Sequence, residues 1–164
     1  MASGDDRAAV PEGLSGAGLR VGIVQARWNP EIVGRLRAGV GRSLDELGVR
    51  SVVEHSVPGS LEIPLAAKLL ASSGTVDAVI CIGAVIRGET THYELVSQGC
   101  AQGVLQAGLE TGVPILFGVL TVEDVEQAEA RSEGPGGHNV GEEAAAGAVE
   151  MAQLARQLSR AAGA

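Results

Sequence analysis

Four short runs rich in Val, Ile and Leu recur along the chain, each followed by a stretch with helical spacing, and no two-residue hairpin signal joins one run to the next. That serial order is the strongest constraint on the fold. Antiparallel strands can turn in two residues, whereas parallel strands need long crossovers, so β-then-α repeated in series selects a parallel sheet wound by right-handed crossovers. The expected architecture is α/β: a flavodoxin-like, three-layer α/β/α sandwich around a four-stranded parallel sheet. The core chemistry agrees, because 45% of the 164 residues are hydrophobic and only 2% aromatic. Such a core is built of Val, Ile, Leu and Ala, as in strands buried on both faces. The length fits one domain, expected over residues 19–160, preceded by a flexible segment over 1–18 in which Gly4, Pro11, Gly13, Gly16 and Gly18 stand among acidic and small residues.

The spacing predicts strands over 19–25, 51–57, 76–82 and 113–120. Helices are expected over 31–47, with Ile32, Leu36, Val40, Leu44 and Leu47 inward; over 61–71, with Ile63, Leu65, Ala66, Leu69 and Leu70 inward; and over 91–109, with Leu95, Val96, Gly99, Cys100, Gly103 and Val104 inward. A further helix should start at Thr121, with Asp124 three residues later, and end near Arg131; the last spans 142–158. Gly134 to Gly141 reads as a loop.

The corner after the third strand carries the densest chemistry. Thr91 followed three residues later by Glu94 has the form of a capping box, so a helix should begin there and leave the amides of Gly88, Glu89 and Thr90 at its positive end, where they can seat a phosphate. His92 stands one residue further on, and imidazole is the side chain best suited to proton exchange near neutral pH. Ligands of doubly wound sheets sit beyond the carboxyl ends of the strands, where strand order reverses. In this chain Trp28 stands just past the first strand, Ser60, Leu61 and Glu62 past the second, and the His92 corner past the third, with Phe117 placed near the end of the fourth. Trp28 and Phe117 are the only Trp and Phe in the chain, and a flat ligand stacked on them explains rings that the core does without.

Net charge is −8 with no basic block, which argues against nucleic acid or an anionic membrane surface as partner. Cys81 and Cys100 lie in apolar settings without disulfide or metal spacing and read as packed, reduced thiols. No signal peptide or bilayer-length apolar run is evident, so a cytoplasmic location is expected.

Four strings carry a family resemblance: Val-Pro-Gly-Ser-Leu-Glu-Ile-Pro-Leu-Ala-Ala-Lys at 57–68, Gly-Ala-Val-Ile-Arg-Gly-Glu-Thr-Thr-His-Tyr at 83–93, Gly-Val-Pro-Ile-Leu-Phe-Gly-Val-Leu-Thr at 112–121 and Glu-Gln-Ala-Glu-Ala-Arg at 126–131. In order and spacing, from about residue 19 to 158, the chain resembles 6,7-dimethyl-8-ribityllumazine synthase. The resemblance implies condensation of 5-amino-6-(D-ribitylamino)uracil with 3,4-dihydroxy-2-butanone 4-phosphate, a late step of riboflavin biosynthesis, without metal or redox cofactor. By position it implies that Trp28 stacks on the pyrimidine, that Ser60, Leu61 and Glu62 hold the ribityl chain, and that backbone at Ala84, Val85 and Ile86 reads the pyrimidine edge. It makes the Glu89 and Thr90 amides and Arg131 the phosphate ligands, His92 the proton shuttle, and Phe117 the closing wall of the slot. Phe117 and Arg131 would come from the neighbouring subunit of a homopentamer.

The chain departs from the family pattern at Val140, where a Lys is frequent, at Leu61, where an aromatic is frequent, and in a loop over 132–139 that is about one residue longer. The last of these leaves open whether twelve pentamers close into a shell. Plainer readings also stand: His92 as an ordinary first-turn residue, Arg131 as a charge answering a helix dipole, Glu62 as a dipole-favoured acid, and Trp28 and Phe117 as interface packing. Two alternatives to the synthase remain, a non-catalytic flavin or pterin carrier and an archaeal-type riboflavin synthase.

Overall fold

In the computed structural model, which describes residues 7–163, four strands form one all-parallel sheet. They are β1 (Arg20–Ala26), β2 (Ser51–Val57), β3 (Ala78–Ile86) and β4 (Ile115–Val122), in the order β2-β1-β3-β4. The helices are α1 (Pro30–Glu46), α2 (Ile63–Ser72), α3 (His92–Thr111), α4 (Val125–Glu129) and α5 (Val140–Gly163). The expected three-layer sandwich is what forms.

Strand alternation divides the core in two. Val21 and Ile23 of β1, Ala78, Ile80, Ile82 and Ala84 of β3, and Leu120 and Val122 of β4 face one way, against Leu36, Val40 and Leu44 of α1 and Ala145, Ala148 and Val149 of α5. Val24, Val79, Cys81, Val85 and Val119 face the other way, against Ile63 and Ala67 of α2 and Val96, Cys100 and Val104 of α3. β3 is central and buried on both faces along nearly its whole length, which is why its sequence is unbroken by polar residues.

Several expectations need correction. β3 and β4 run past their anticipated ends, to Ile86 and Val122, because the two strands keep pairing after β1 has stopped. Leu65 and Leu69 of α2 and Leu95 of α3, all expected inward, are 64–67% exposed; small residues such as Ala67, Ala71 and Ala107 fill the close approach to the sheet instead. The capping box at Thr91 does not form. Thr91 makes no side-chain cap, and Glu94 turns to Arg87 rather than back to the helix start. α4 begins after Asp124, whose carboxylate accepts from the Gln127 amide at 2.8 Å, and not at Thr121, which still belongs to β4. α5 starts at Val140, two residues early, because the buried Asn139 caps it: Oδ1 accepts from Gly141 N at 2.8 Å while Nδ2 donates to the carbonyls of Arg35 and Glu133.

Of the N-terminal segment expected to be flexible, residues 1–6 lie outside the described residues. Residues 7–18 form no helix or strand. Gly16 N donates to Leu47 O, Gln153 Nε2 to Ser15 O, and Leu14 packs on the α1–α5 side of the core.

Candidate active site

Strand order reverses between β1 and β3, since the chain moves outward to β2 on one side and to β4 on the other. At the carboxyl ends of these two central strands lies an open cleft of about 390 Å³, lined by Trp28, Asn29, Gly59, Ser60, Leu61, Glu62, Ala84, Val85, Ile86, His92 and Val96. His92 is exposed at the first position of α3, over the same cleft as Trp28 and Glu62. The topology therefore gathers seven of the expected site residues with the imidazole.

Each wall has a local cause. The β1–β3 register ends at Gln25 opposite Ile82, whereas β3–β4 pairing continues to Ile86 opposite Val122. Ala84, Val85 and Ile86 thus form an overhang with no strand on the β1 side. Ala84 turns its carbonyl that way and accepts from Asn29 Nδ2 at 2.9 Å, and strand alternation aims the polar backbone of Ile86 likewise. An unpaired strand edge of this kind offers donors and acceptors in one plane, suited to the rim of a flat heterocycle.

Asn29 is a site residue that the sequence reading missed. It is the one described non-glycine residue with positive φ, at 55°, a conformation Asn tolerates better than most residues. This kink ends β1, starts α1 at Pro30 and leaves the neighbouring Trp28 72% exposed at the cleft mouth. The Asn-Pro pair was the available signal. Gly59, also missed, is there for space: a Cβ added to it would lie 3.0 Å from Glu62 Oε2 and 3.4 Å from Trp28 Cδ1, so a bare backbone lets both side chains share the opening. Ser60 is buried and faces Gly83 in β3, while Leu61 lies half exposed over Gly99 of α3.

The corner over 87–91 has neither helix nor strand. Among the described residues, no hydrogen bond is made by the amides of Gly88, Glu89 or Thr90, whereas His92 N donates to Thr90 Oγ1 at 3.3 Å. Three amides are thereby left at the start of a 20-residue helix. Glu89 and Thr90 are exposed beside the cleft but do not line it.

Phe117 and Arg131 are elsewhere. Phe117, 38% exposed, pairs in register with Cys81 and lies five residues before the carboxyl end of β4, roughly 16 Å short of that rim at about 3.3 Å per residue. Arg131 follows α4, with Nη1 donating to Gln127 O at 3.0 Å. Neither lines this cleft.

Comparison with known proteins decides the family. The sequence model described as 6,7-dimethyl-8-ribityllumazine synthase matches residues 18–156. The chain belongs to the 6,7-dimethyl-8-ribityllumazine synthase family. Relatives bearing that name include a protein of Thermococcus gammatolerans, 47% identical over 149 residues that cover 91% of this chain and 96% of the relative. One from Azoarcus sp. is 45% identical over 96% of this chain and 99% of its own, and one from Cupriavidus necator is 44% identical over 93% and 90%. The lumazine synthase match runs from just before β1 into α5, so it includes every residue of the cleft.

Among the described residues, no group of three or more His, Cys, Asp or Glu is placed to hold a metal ion, and no helix is long and apolar enough to cross a membrane. Cys81 and Cys100 are free and buried; burial pushes the Cys100 thiol up to about 11 and that of Cys81 further.

Proposed function

We infer that the chain condenses 5-amino-6-(D-ribitylamino)uracil with 3,4-dihydroxy-2-butanone 4-phosphate to 6,7-dimethyl-8-ribityllumazine, releasing phosphate and water, in the cytoplasm and as a homopentamer. The observation that carries this reading is the convergence of an exposed ring, a carboxylate, an unpaired strand edge and an imidazole on one switch-point cleft in a member of this family.

The chemistry fits those groups. Amine addition to the ketone moves a proton from nitrogen to oxygen and loss of water gives an imine; removal of a proton from the neighbouring carbon expels phosphate and leaves, after tautomerisation, a new ketone, which the second amine attacks with loss of a second water to close the ring. One imidazole that gives and takes protons serves every step, and holding two reactants in contact supplies much of the acceleration. Trp28 stacks on the pyrimidine, Ile86 with Ala84 and Val85 reads its edge, and Ser60, Leu61 and Glu62 hold the ribityl chain. The amides of Glu89 and Thr90 seat the phosphate and Arg131 pairs with it; the planar fork of Arg suits that anion.

The pentamer reading rests on surface that one subunit leaves uncovered. Leu65, Leu69, Leu95, Leu105 and Leu109, on α2 and α3, are each more than 60% exposed. Rows of leucine this long are the mark of an interface. A slot closed by Phe117 and Arg131 of a neighbouring subunit accounts for their distance from the cleft of their own chain.

The test is turnover. The purified chain, given both precursors, should develop lumazine absorbance and fluorescence with stoichiometric phosphate release. Flavin binding without turnover would establish a carrier instead.

A further inference from the structure

Arg87, directly after the β3 overhang, is a charged residue to which this reaction assigns no role. It leaves the chain directly after β3, where its amide still donates to Val122 O at 2.9 Å. Its Nε donates to Glu123 Oε2 at 2.6 Å, just beyond β4, and its Nη1 donates to Glu94 Oε1 on α3. The guanidinium carbon lies 4.3 Å from the centre of the Tyr93 ring. One side chain therefore ties the ends of β3 and β4 to the two residues directly after His92.

Besides this clamp, the turn is held by Ser97 Oγ, which donates to the Tyr93 carbonyl at 2.5 Å, and by Tyr93 packing on the α2–α3 side of the core. The five residues before α3 are irregular, Thr91 provides no cap, and the His92 imidazole makes no hydrogen bond of its own among the described residues. The aim of the ring is set by the helical turn that carries it. As an anion ligand Arg87 is already largely spent. Two carboxylates already occupy its Nε and Nη1, so its charge is answered within the cluster. Glu94 in turn depends on Arg87: the hydrogen bond from the guanidinium holds its carboxyl below the usual range, and its other oxygen, Oε2, is buried without a partner.

The geometry points to Arg87 as a positioning residue: by clamping Glu94 and Glu123 and stacking on Tyr93, it fixes the first turn of α3 and so aims His92 over the cleft, touching neither substrate. This rests on His92 being the proton carrier of the inferred reaction.

Four variants test it: Arg87→Ala, Arg87→Lys, Glu94→Gln and the double Arg87→Ala/His92→Ala. Arg87→Ala should lower kcat by roughly 10- to 100-fold, since misplacement by about 1 Å is enough for that, while KM for the pyrimidine changes little. Arg87→Lys should not restore kcat, because an ammonium can neither bridge two separated carboxylates with a flat fork nor stack on Tyr93. Glu94→Gln, which removes one arm with almost no change of shape, should give a smaller loss of the same kind and covers the case in which Arg87→Ala does not fold. In the His92→Ala background, Arg87→Ala should cost nothing further. Independently of turnover, hydrogen–deuterium exchange over 88–96 should rise in Arg87→Ala.

A loss confined to KM for the phosphate-bearing substrate, full recovery with Lys, an undiminished loss in the His92→Ala background, or unchanged exchange would each overturn the assignment. If the unaltered chain makes no lumazine, the inferred reaction fails, and exchange still reports whether the clamp exists.

Discussion

If Phe117 and Arg131 close a neighbour's slot, two inactive variants should rescue each other. His92→Ala removes the proton carrier, and Arg131→Ala removes the phosphate fork; each alone retains only a small residue of activity, the former because losing acid–base catalysis costs roughly 10²–10⁴-fold. The separation within one chain decides the arithmetic. Phe117 is five strand residues short of the rim that its own His92 overlooks, so in a shared slot His92 would come from one subunit and Phe117 with Arg131 from the next. When the two variants are denatured together in equal amounts and reassembled, each slot draws its two halves independently. A slot is complete when an Arg131→Ala subunit supplies His92 and a His92→Ala subunit supplies Arg131, which occurs with probability one half times one half, or about a quarter of slots in a ring of like interfaces. Lumazine formation should climb from near background to about a quarter of the unaltered protein's rate, with native mass spectrometry confirming mixed rings. Mixed rings no more active than the mean of their parents would refute a shared slot.

The packing sets three further outcomes. A Cβ at Gly118 would stand 2.8 Å from the Cys81 carbonyl oxygen and 3.2 Å from Ala144 Cβ, and strand backbone cannot yield; Gly118→Ala should cost about 1–3 kcal/mol, read as a Tm several degrees lower, while Gly134→Ala, with open space around it, leaves Tm unchanged. Burial pushes the Asp77 carboxyl up, but hydrogen bonds from Arg20 and the charges of Arg156 and Arg20 outweigh it and hold the group below its ordinary value. A depressed carboxyl contributes stability that is complete above its unfolded value near 4 and is lost as pH falls through the folded one, so the Tm of Asp77→Asn should fall less than that of the unaltered chain in a titration from pH 6 to 3. Cys81 and Cys100 should resist a thiol reagent such as dithionitrobenzoate at pH 8 in the native protein and react together on unfolding; fast labelling of either would contradict their burial.

The serial β–α pattern was enough to reach the sheet, its parallel sense and the gathering of Trp28, Ser60, Leu61, Glu62 and His92 beyond the strand ends, because these derive from periodicity and from the crossover rule; Ala84, Val85 and Ile86 entered only through the family resemblance. What it missed depends on partners that a local pattern does not name. Asn29 gains its role from an Ala84 carbonyl 55 positions away, and the capping box at Thr91 fails because Glu94 finds Arg87 instead. The overhang of β3 beyond β1 is a property of register, which a run of apolar residues does not encode in length. Glycine had a readable presence at position 59 but no readable reason until Trp28 and Glu62 were seen on either side of it.

The mistaken faces of α2 and α3 have a different cause, and it bears on function. Helical spacing reports that a face is apolar and says nothing of what covers it. Leu65, Leu69 and Leu95 share their helices with Ala67, Ala71, Val96 and Cys100, so both helices have two apolar faces, one on the sheet and one outward. The outward face is left uncovered, as is Phe117, a ring left half open on the outer strand β4 away from its own cleft. Both anomalies have one remedy. An interface that covered the leucines with a neighbour's β4 would bring that neighbour's Phe117 to an open cleft; the residues that join subunits and those that complete the slot would then be one surface, and in that arrangement activity should be lost on dissociation even where each subunit keeps its fold.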